Sequence, residues 1–332
     1  MRAVIPVAGV GTRLRPHTYA LPKVLLNVAG KPILSHILDS LQTIGISDAT
    51  IITGYMGDLV EEFVRSRYPA LNVEFVEQRQ MLGLGHAIWT GKDTYKDDEP
   101  LLIILGDTVF DVDLSLAINS GVSAIGVKAV NDPRRFGVIL LNNASASGQR
   151  TINKFIEKPE KPVSNLAIVG LYYIAHSNKL VSSLDELISK DIRTKNEFQL
   201  TDALQLMLDN GEVFTYFNVD GWYDCGKPET LLSTNNYLLS QYPAQREIKG
   251  AVIIPPCYVS DTAIVENSII GPYASIADGA IVKDSIIRHS IISDGAKVSH
   301  SLLTESIIGN EAEVNGKFTK YNVGNSSTID LE

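Results

Sequence analysis

The chain has 332 residues, 45% of them hydrophobic and 20% charged, with a net charge of -9. That length supports two domains with cores of their own, and the composition is that of an ordinary globular protein. The acidic balance argues against a nucleic-acid partner, no apolar run is long enough to cross a bilayer, and Cys225 and Cys257 stand too far apart for a metal or redox motif.

Residues 3–7 read as a buried strand. The turn that follows, Ala8-Gly9-Val10-Gly11-Thr12-Arg13-Leu14, lies where a backbone can close on phosphate. Arg2, Arg13, Arg15, Lys23 and Lys31 all precede the first acidic residue, Asp39, so the segment is a local cationic cradle. A Walker loop is excluded because no Gly-x-x-x-x-Gly-Lys-Ser/Thr occurs. Leu14 stands where a dinucleotide fold needs its third glycine. A Gly-x-Gly pair alone marks a tight turn as readily as a phosphate site. Two long cations beside it, Arg13 and Lys23, suit a triphosphate better than a pyrophosphate diester.

Further strands are predicted at residues 49–53, 73–77 and 101–105, and helices at 33–44, 58–68 and from 85 onward. This alternation implies a mostly parallel sheet with helices on both faces, whose ligands sit at the carboxyl ends of the strands. The Gly9 loop, Gln78 and Asp107 all fall at such ends. Strands are expected at 124–130, 137–141, 152–157 and 166–174, and helices at 180–188, 201–211 and 228–241. Thr201 or Asp202 is a plausible cap for the second of these helices.

From Ile253 the texture changes. Single apolar residues recur every five or six positions, from Val259, Val265, Ile270 and Ile276 to Ile308 and Val314, with small residues such as Ala274, Ala280, Ser285, Ser290 and Ala296 between them. Three such steps make a coil of sixteen or seventeen residues, the repeat of a hexapeptide β-helix with about four coils. A sandwich of short strands explains the step less well.

The stretch from Ala8 to Leu14 and on through Pro22-Lys23 resembles the signature of the sugar-1-phosphate nucleotidyltransferases, and the resemblance extends over roughly residues 1–240. It implies a Rossmann-like α/β domain with a mixed, mostly parallel sheet, followed by a left-handed parallel β-helix. The expected division is 1–240 for the catalytic domain, 241–250 for a linker, 251–318 for the β-helix and 319–332 for a tail. By resemblance, Arg13, Lys23 and Lys158 are catalytic, and Ala8, Gly9, Gly11, Thr12, Arg13, Gln78 and Gly83 bind the nucleotide. Gly137, Glu157, Lys158 and the backbone near Ile168 bind the sugar phosphate, while Asp107 and Asp224 hold Mg²⁺. Gln78 can pair with the imide edge of uracil or thymine, which leaves dTTP and UTP both open. His86 reads as a structural residue at a helix start.

The implied activity joins dTTP or UTP to a hexose 1-phosphate, with glucose 1-phosphate favoured, to give a nucleotide sugar and pyrophosphate. An added acyltransferase activity on the β-helix, where His289 and His300 are the histidines, and a non-catalytic regulatory subunit are the alternatives. A homo-oligomer assembled through the β-helix, no nucleic-acid or membrane partner, no leader segment and a reducing, cytoplasmic location complete the expectation.

Overall fold

The computed structural model describes residues 1–96, 98–118, 121–143, 150–241, 247–317 and 323. Residues 242–246 of the expected linker and, Val323 apart, the expected tail 319–332 lie outside them. The chain divides into two compact units, Met1–Leu26 with Lys31–Thr234 and Asn27–Gly30 with Asn235–Glu332.

The first unit is built on a nine-stranded sheet. Its strands are β1 (Arg2–Pro6), β2 (Asp48–Thr53), β3 (Asn72–Glu77), β4 (Leu101–Ile104), β6 (Ser123–Ala129), β7 (Gly137–Leu141), β8 (Ile152–Glu157), β9 (Leu166–Ile174) and β10 (Phe214–Asn218). A separate hairpin joins β5 (Thr108–Asp111) to β11 (Gly221–Asp224). The main order is β8-β7-β9-β4-β1-β2-β3, and β6 pairs with β9 and β10. The β4-β1-β2-β3 run is parallel, and β9 turns the sheet antiparallel where it meets β4. Strands β5, β10 and β11 were not legible in the sequence; β5 and β11 have four residues each, β5 following the Gly106-Asp107 turn and β11 opening on Gly221.

The buried strands read as unbroken apolar runs because both faces are covered. Ala3 and Ile5 of β1 face one cluster with α1 (Ile33–Thr43) and α2 (Gly57–Arg67), while Val4 faces the other. That second cluster contains α3 (Leu84–Thr90), α4 (Ser177–Ser189) and α5 (Leu200–Asp209). Leu102 and Ile104 of β4 alternate in the same way with Leu101 and Ile103. Each fully buried Val, Leu or Ile among these contributes about 1.5–3 kcal/mol relative to exposure. A last helix, α6 (Pro228–Ser240), contains the division between the units.

Arg2 does not belong to the cationic cradle. Its residue is 0% exposed, and it pairs with Glu99 at 2.9 Å and Glu74 at 3.0 Å. Arg15 lies over the Tyr19 ring and Lys31 pairs with Asp39, so Arg13 and Lys23 are what remains of that cradle. The expected cap on α5 is also absent: Gln199 occupies the cap position without a side-chain bond. The Thr201 hydroxyl is turned to Glu157 instead.

In the second unit, three parallel four-stranded sheets stack coil on coil as a left-handed β-helix. Val265 pairs with Val282, Val282 with Val298 and Val298 with Val314, a register that returns every sixteen or seventeen residues. The expected apolar ladder is the core: Val259, Val265, Ile270, Ile276, Val282, Ile287, Ile292 and Val298 are buried, with Ile253, Leu303, Ile308 and Val314 packed on them. The small residues have a reason of their own at the corners. Ser285 N donates to Ser268 Oγ and Ser301 N to Ser285 Oγ, each at 3.1 Å, so one coil satisfies backbone donors of the next. Among the described residues no helix is long and apolar enough to cross a membrane.

Candidate active site

The carboxyl ends of β1, β3 and β4 open on a cavity of 450 Å³. Ala8, Gly9, Gly11, Thr12, Arg13, Lys23, Gln78, Gly83 and Asp107 all line it. An adjoining cavity of 620 Å³ is lined by Gly137, Glu157, Ile168 and Asp224 of the expected residues. Arg13 and Asp107, with Leu84 and Leu105, line both.

The two aspartates meet through the hairpin. Pairing of β11 with β5 sets Asp224 opposite Thr108, one residue from Asp107, although more than a hundred positions separate them in the chain. Lys23 is buried, and its Nζ donates to Asp107 Oδ2 at 2.7 Å. Asp107 is surrounded by protein yet open to the cleft, with 41% of its side chain exposed. Burial works against its charge, but the Lys23 ammonium outweighs burial and holds its pKa below the ordinary carboxylate value. Asp224 moves the other way: burial and then the Asp107 charge raise it, against the opposing pull of Lys23 and Arg13. Arg13 is exposed and makes no ion pair among the described residues, so its guanidinium is available to an anion.

The loop that follows β3 is anchored by backbone bonds. Phe198 N donates to Leu82 O and Gly85 N to Phe198 O, both at 2.8 Å. Gly83 has φ +112°, and a Cβ there would lie 2.6 Å from the Phe198 carbonyl, so glycine is required. Gln78 is buried, with Nε2 donating to Gly83 O at 3.1 Å and lying 3.0 Å from His86 Nδ1.

On the other side, Glu157 is held by Thr201, whose hydroxyl donates to Glu157 Oε2 at 2.7 Å. The absent Cβ of Gly137 leaves room for both groups; an added one would meet them at 2.8 and 2.9 Å. Lys158 does not join the lining residues: its ammonium lies 3.3 Å from Glu157 Oε1. Arg135 and Lys227 line this cavity instead, with Thr201 and Trp222, and sequence reasoning assigned none of these four. Lys227 lies three residues after Asp224, and its cation there is the signal that could have found it. Cys225 beside Asp224 is buried and its thiol is pushed up to about 12, chiefly by burial, so it is not a nucleophile at neutral pH.

The sequence model described as Nucleotidyl transferase matches residues 2–241. The chain belongs to that family. A bifunctional protein GlmU of Methanocaldococcus jannaschii is 35% identical over 253 residues, 76% of this chain and 57% of that protein. The UTP–glucose-1-phosphate uridylyltransferase AglF of Haloferax volcanii is 32% identical over 241 residues, 69% of this chain and 93% of that one. This nucleotidyl transferase therefore spans little more than half the length of that GlmU relative. Of solved structures, a UDP-glucose pyrophosphorylase complexed with UDP-glucose matches with a TM-score of 0.61 and 26% identity, over 73% of this chain and 99% of that one. A putative glucose-1-phosphate thymidylyltransferase from Bacillus anthracis matches with a TM-score of 0.61 and 28% identity, over 74% of this chain and 98% of that one.

Proposed function

We propose that this nucleotidyl transferase moves a nucleoside monophosphate from UTP or dTTP to a hexose 1-phosphate, glucose 1-phosphate first among them, with release of pyrophosphate. The observation that carries the reading is the pair of cavities that share Arg13 and Asp107. One has a glycine loop and two cations for a triphosphate; the other has a buried carboxylate, Glu157, and two cations for a sugar phosphate. The likeness to proteins named for UTP–glucose-1-phosphate uridylyl transfer and glucose-1-phosphate thymidylyl transfer supports the substrate classes.

A phosphate oxygen of the sugar 1-phosphate attacks the α-phosphorus. That P–O bond forms as the bond to the bridging α,β-oxygen breaks, and the electron pair leaves with pyrophosphate. Such a displacement depends on positioning and charge neutralisation, and needs no covalent intermediate. Arg13 holds the departing phosphates in its planar fork. Lys23 gives its charge to the α-phosphate while remaining anchored beside Asp107. Arg135 and Lys227 hold the acceptor phosphate in preference to Lys158, which does not line the cavity. Glu157 accepts from sugar hydroxyls, and the backbone at Gly137 and Ile168 closes the pocket.

Asp107 and Asp224 fit a Mg²⁺ ion. The β5–β11 pairing brings the two carboxylates to one end of the hairpin, and burial and then the Asp107 charge raise the Asp224 pKa, so a cation beside them is favoured by charge. No group of three or more metal-ligating side chains occurs among the described residues, in keeping with an ion that takes one or two carboxylates and completes its shell with water and substrate phosphates. Bound there, the ion neutralises phosphate charge.

A panel of four nucleoside triphosphates against several sugar phosphates, read as pyrophosphate release, tests the proposal. Release that needs both substrates supports it; a thermal shift with nucleotide and no turnover with any sugar phosphate favours a regulatory subunit instead. A second reading, acyl transfer by the β-helix, has one observation in its favour: a groove of 420 Å³ lined by Asp284, Ser285, His300 and Lys317, among others. His289 is engaged elsewhere, stacked on Tyr273 and bonded to Asn236. Failure of acetyl-CoA to bind dismisses that reading. Self-association is supported by Val252, Ile269, Ile286 and Leu302, in register along one sheet of the coil, with Val252 56% and Leu302 78% exposed. Leu302→Lys is expected to lower the mass in sedimentation, and an unchanged mass contradicts it.

A further inference from the structure

Both protons of the Gln78 amide have an address. Nε2 faces the Gly83 carbonyl at 3.1 Å and His86 Nδ1 at 3.0 Å. A carbonyl only accepts, so the amide nitrogen, not its oxygen, is the atom turned that way. His86 Nδ1 meets the same NH2 group and must therefore be a bare acceptor, with the ring proton on Nε2. The ring is held by its neighbours, stacked on Phe198 at 6.5 Å and tilted against Trp89 at 5.8 Å. Gln78 Oε1 takes no protein hydrogen bond among the described residues, and Gln78 lines the nucleotide cavity.

We propose that His86 is a positioning residue for base selection: its neutral Nε2–H tautomer locks the Gln78 amide so that the oxygen, never the nitrogen, meets the base. This rests on the pyrimidine nucleotide reading given above. Uracil and thymine present an N3–H donor to that oxygen. Cytosine presents a lone pair at N3, which leaves two acceptors facing each other, and a site built for one hydrogen-bond pattern rejects the other strongly.

The lock is sensitive to protonation. A charged His86 turns an N–H toward the amide NH2; rotating the amide relieves that contact but sets Oε1 against the Gly83 carbonyl. Each orientation then carries one repulsive contact, and selectivity falls. Burial, then the Arg193 charge, lowers the His86 pKa and favours the neutral ring. Arg193 lies over the Phe198 ring at 4.2 Å. The other charged groups nearby are Glu197, bonded to Gln199, and Asp185 with Lys92, which pair with each other and contact Trp89.

The test is the ratio of kcat/KM for UTP to that for CTP in the full chain, with glucose 1-phosphate and Mg²⁺ saturating. His86→Leu is expected to lower the ratio about tenfold, mainly through a higher KM for UTP. His86→Asn restores a side-chain acceptor and is expected to stay within about threefold of the wild type. On acidification the wild-type ratio falls, at a pH below the ordinary histidine range, while that of His86→Asn does not. A wild-type ratio in His86→Leu, or equal loss of UTP and CTP turnover in both variants together with a lower Tm, overturns the proposal. So does an identical pH profile in wild type and His86→Asn. A wild type that shows no preference for UTP or dTTP over CTP overturns the base reading itself, which separates the two failures.

Discussion

The two halves of the cleft are built differently. The proposed donor half is a set of short loops at the ends of neighbouring parallel strands, with Ala8, Gly9, Gly11, Thr12, Arg13 and Lys23 supplied by one short stretch. The proposed acceptor half is gathered from the antiparallel side of the sheet and beyond it: Arg135 to Gly137, Glu157, Ile168, Thr201, Trp222 to Asp224, and Lys227. Backbone geometry makes the first, and side chains from distant segments make the second. The lesson is that the first cavity is largely local in the chain, whereas the second is a property of the tertiary fold.

That contrast can be broken at the junction and sharpened on either side of it. Asp107→Asn removes charge where both halves meet and loosens Lys23, and is expected to slow pyrophosphate release by about a hundredfold or more with every substrate pair. A change confined to the KM of one substrate denies that the residue is shared. Gln78→Leu acts on the donor half, with the KM for UTP expected to rise more than tenfold, roughly, while the KM for glucose 1-phosphate holds. Thr201→Val releases Glu157 and acts on the acceptor half: about a tenfold rise in the KM for glucose 1-phosphate and no change for UTP. In the same assay Arg135→Ala is expected to exceed Lys158→Ala, and the reverse order returns the acceptor phosphate to Lys158.

The smallest effect lies outside both halves. Buried Glu212 is bonded to Lys179, Ser123 and His176. Burial alone opposes its charge, but these partners outweigh burial and lower its pKa. A carboxylate lowered on folding stabilises the protein above its unfolded pKa, and that contribution is lost as pH falls through the folded value. Thermal melts on a descending pH series should therefore drop from the ordinary glutamate range downward. In Glu212→Gln the melting temperature should start lower and drop less, with kinetic constants unchanged.

Much of this was legible before any fold was known. The loop from Ala8 to Leu14, Gln78 and Asp107 follow directly after apolar strands, and strand ends in a parallel sheet converge on one crevice. The β-helix was legible because its period repeats often enough to override any single position. Arg135 was not: it sits beside Arg134, which pairs with Asp132, and only the loop conformation decides which arginine faces the cavity. Thr201 had the sequence pattern of a cap and the tertiary role of an anchor. Lys158 lies 3.3 Å from Glu157 and outside the lining of the cavity, and nothing in the charge of its motif tells which way its ammonium turns. His86 reads as structural in the sequence because nothing in its spacing to Gln78 reveals that a turn brings the two side chains together.

The central claim is that both substrates occupy the paired cavities at once and react directly across Arg13 and Asp107. The most direct measurement is the stereochemical course at phosphorus, with one diastereomer of an α-thio-substituted UTP and glucose 1-phosphate. Direct in-line transfer predicts a nucleotide sugar with inverted configuration at the α-phosphorus. Retention, which requires a nucleotidyl intermediate on the protein, contradicts it.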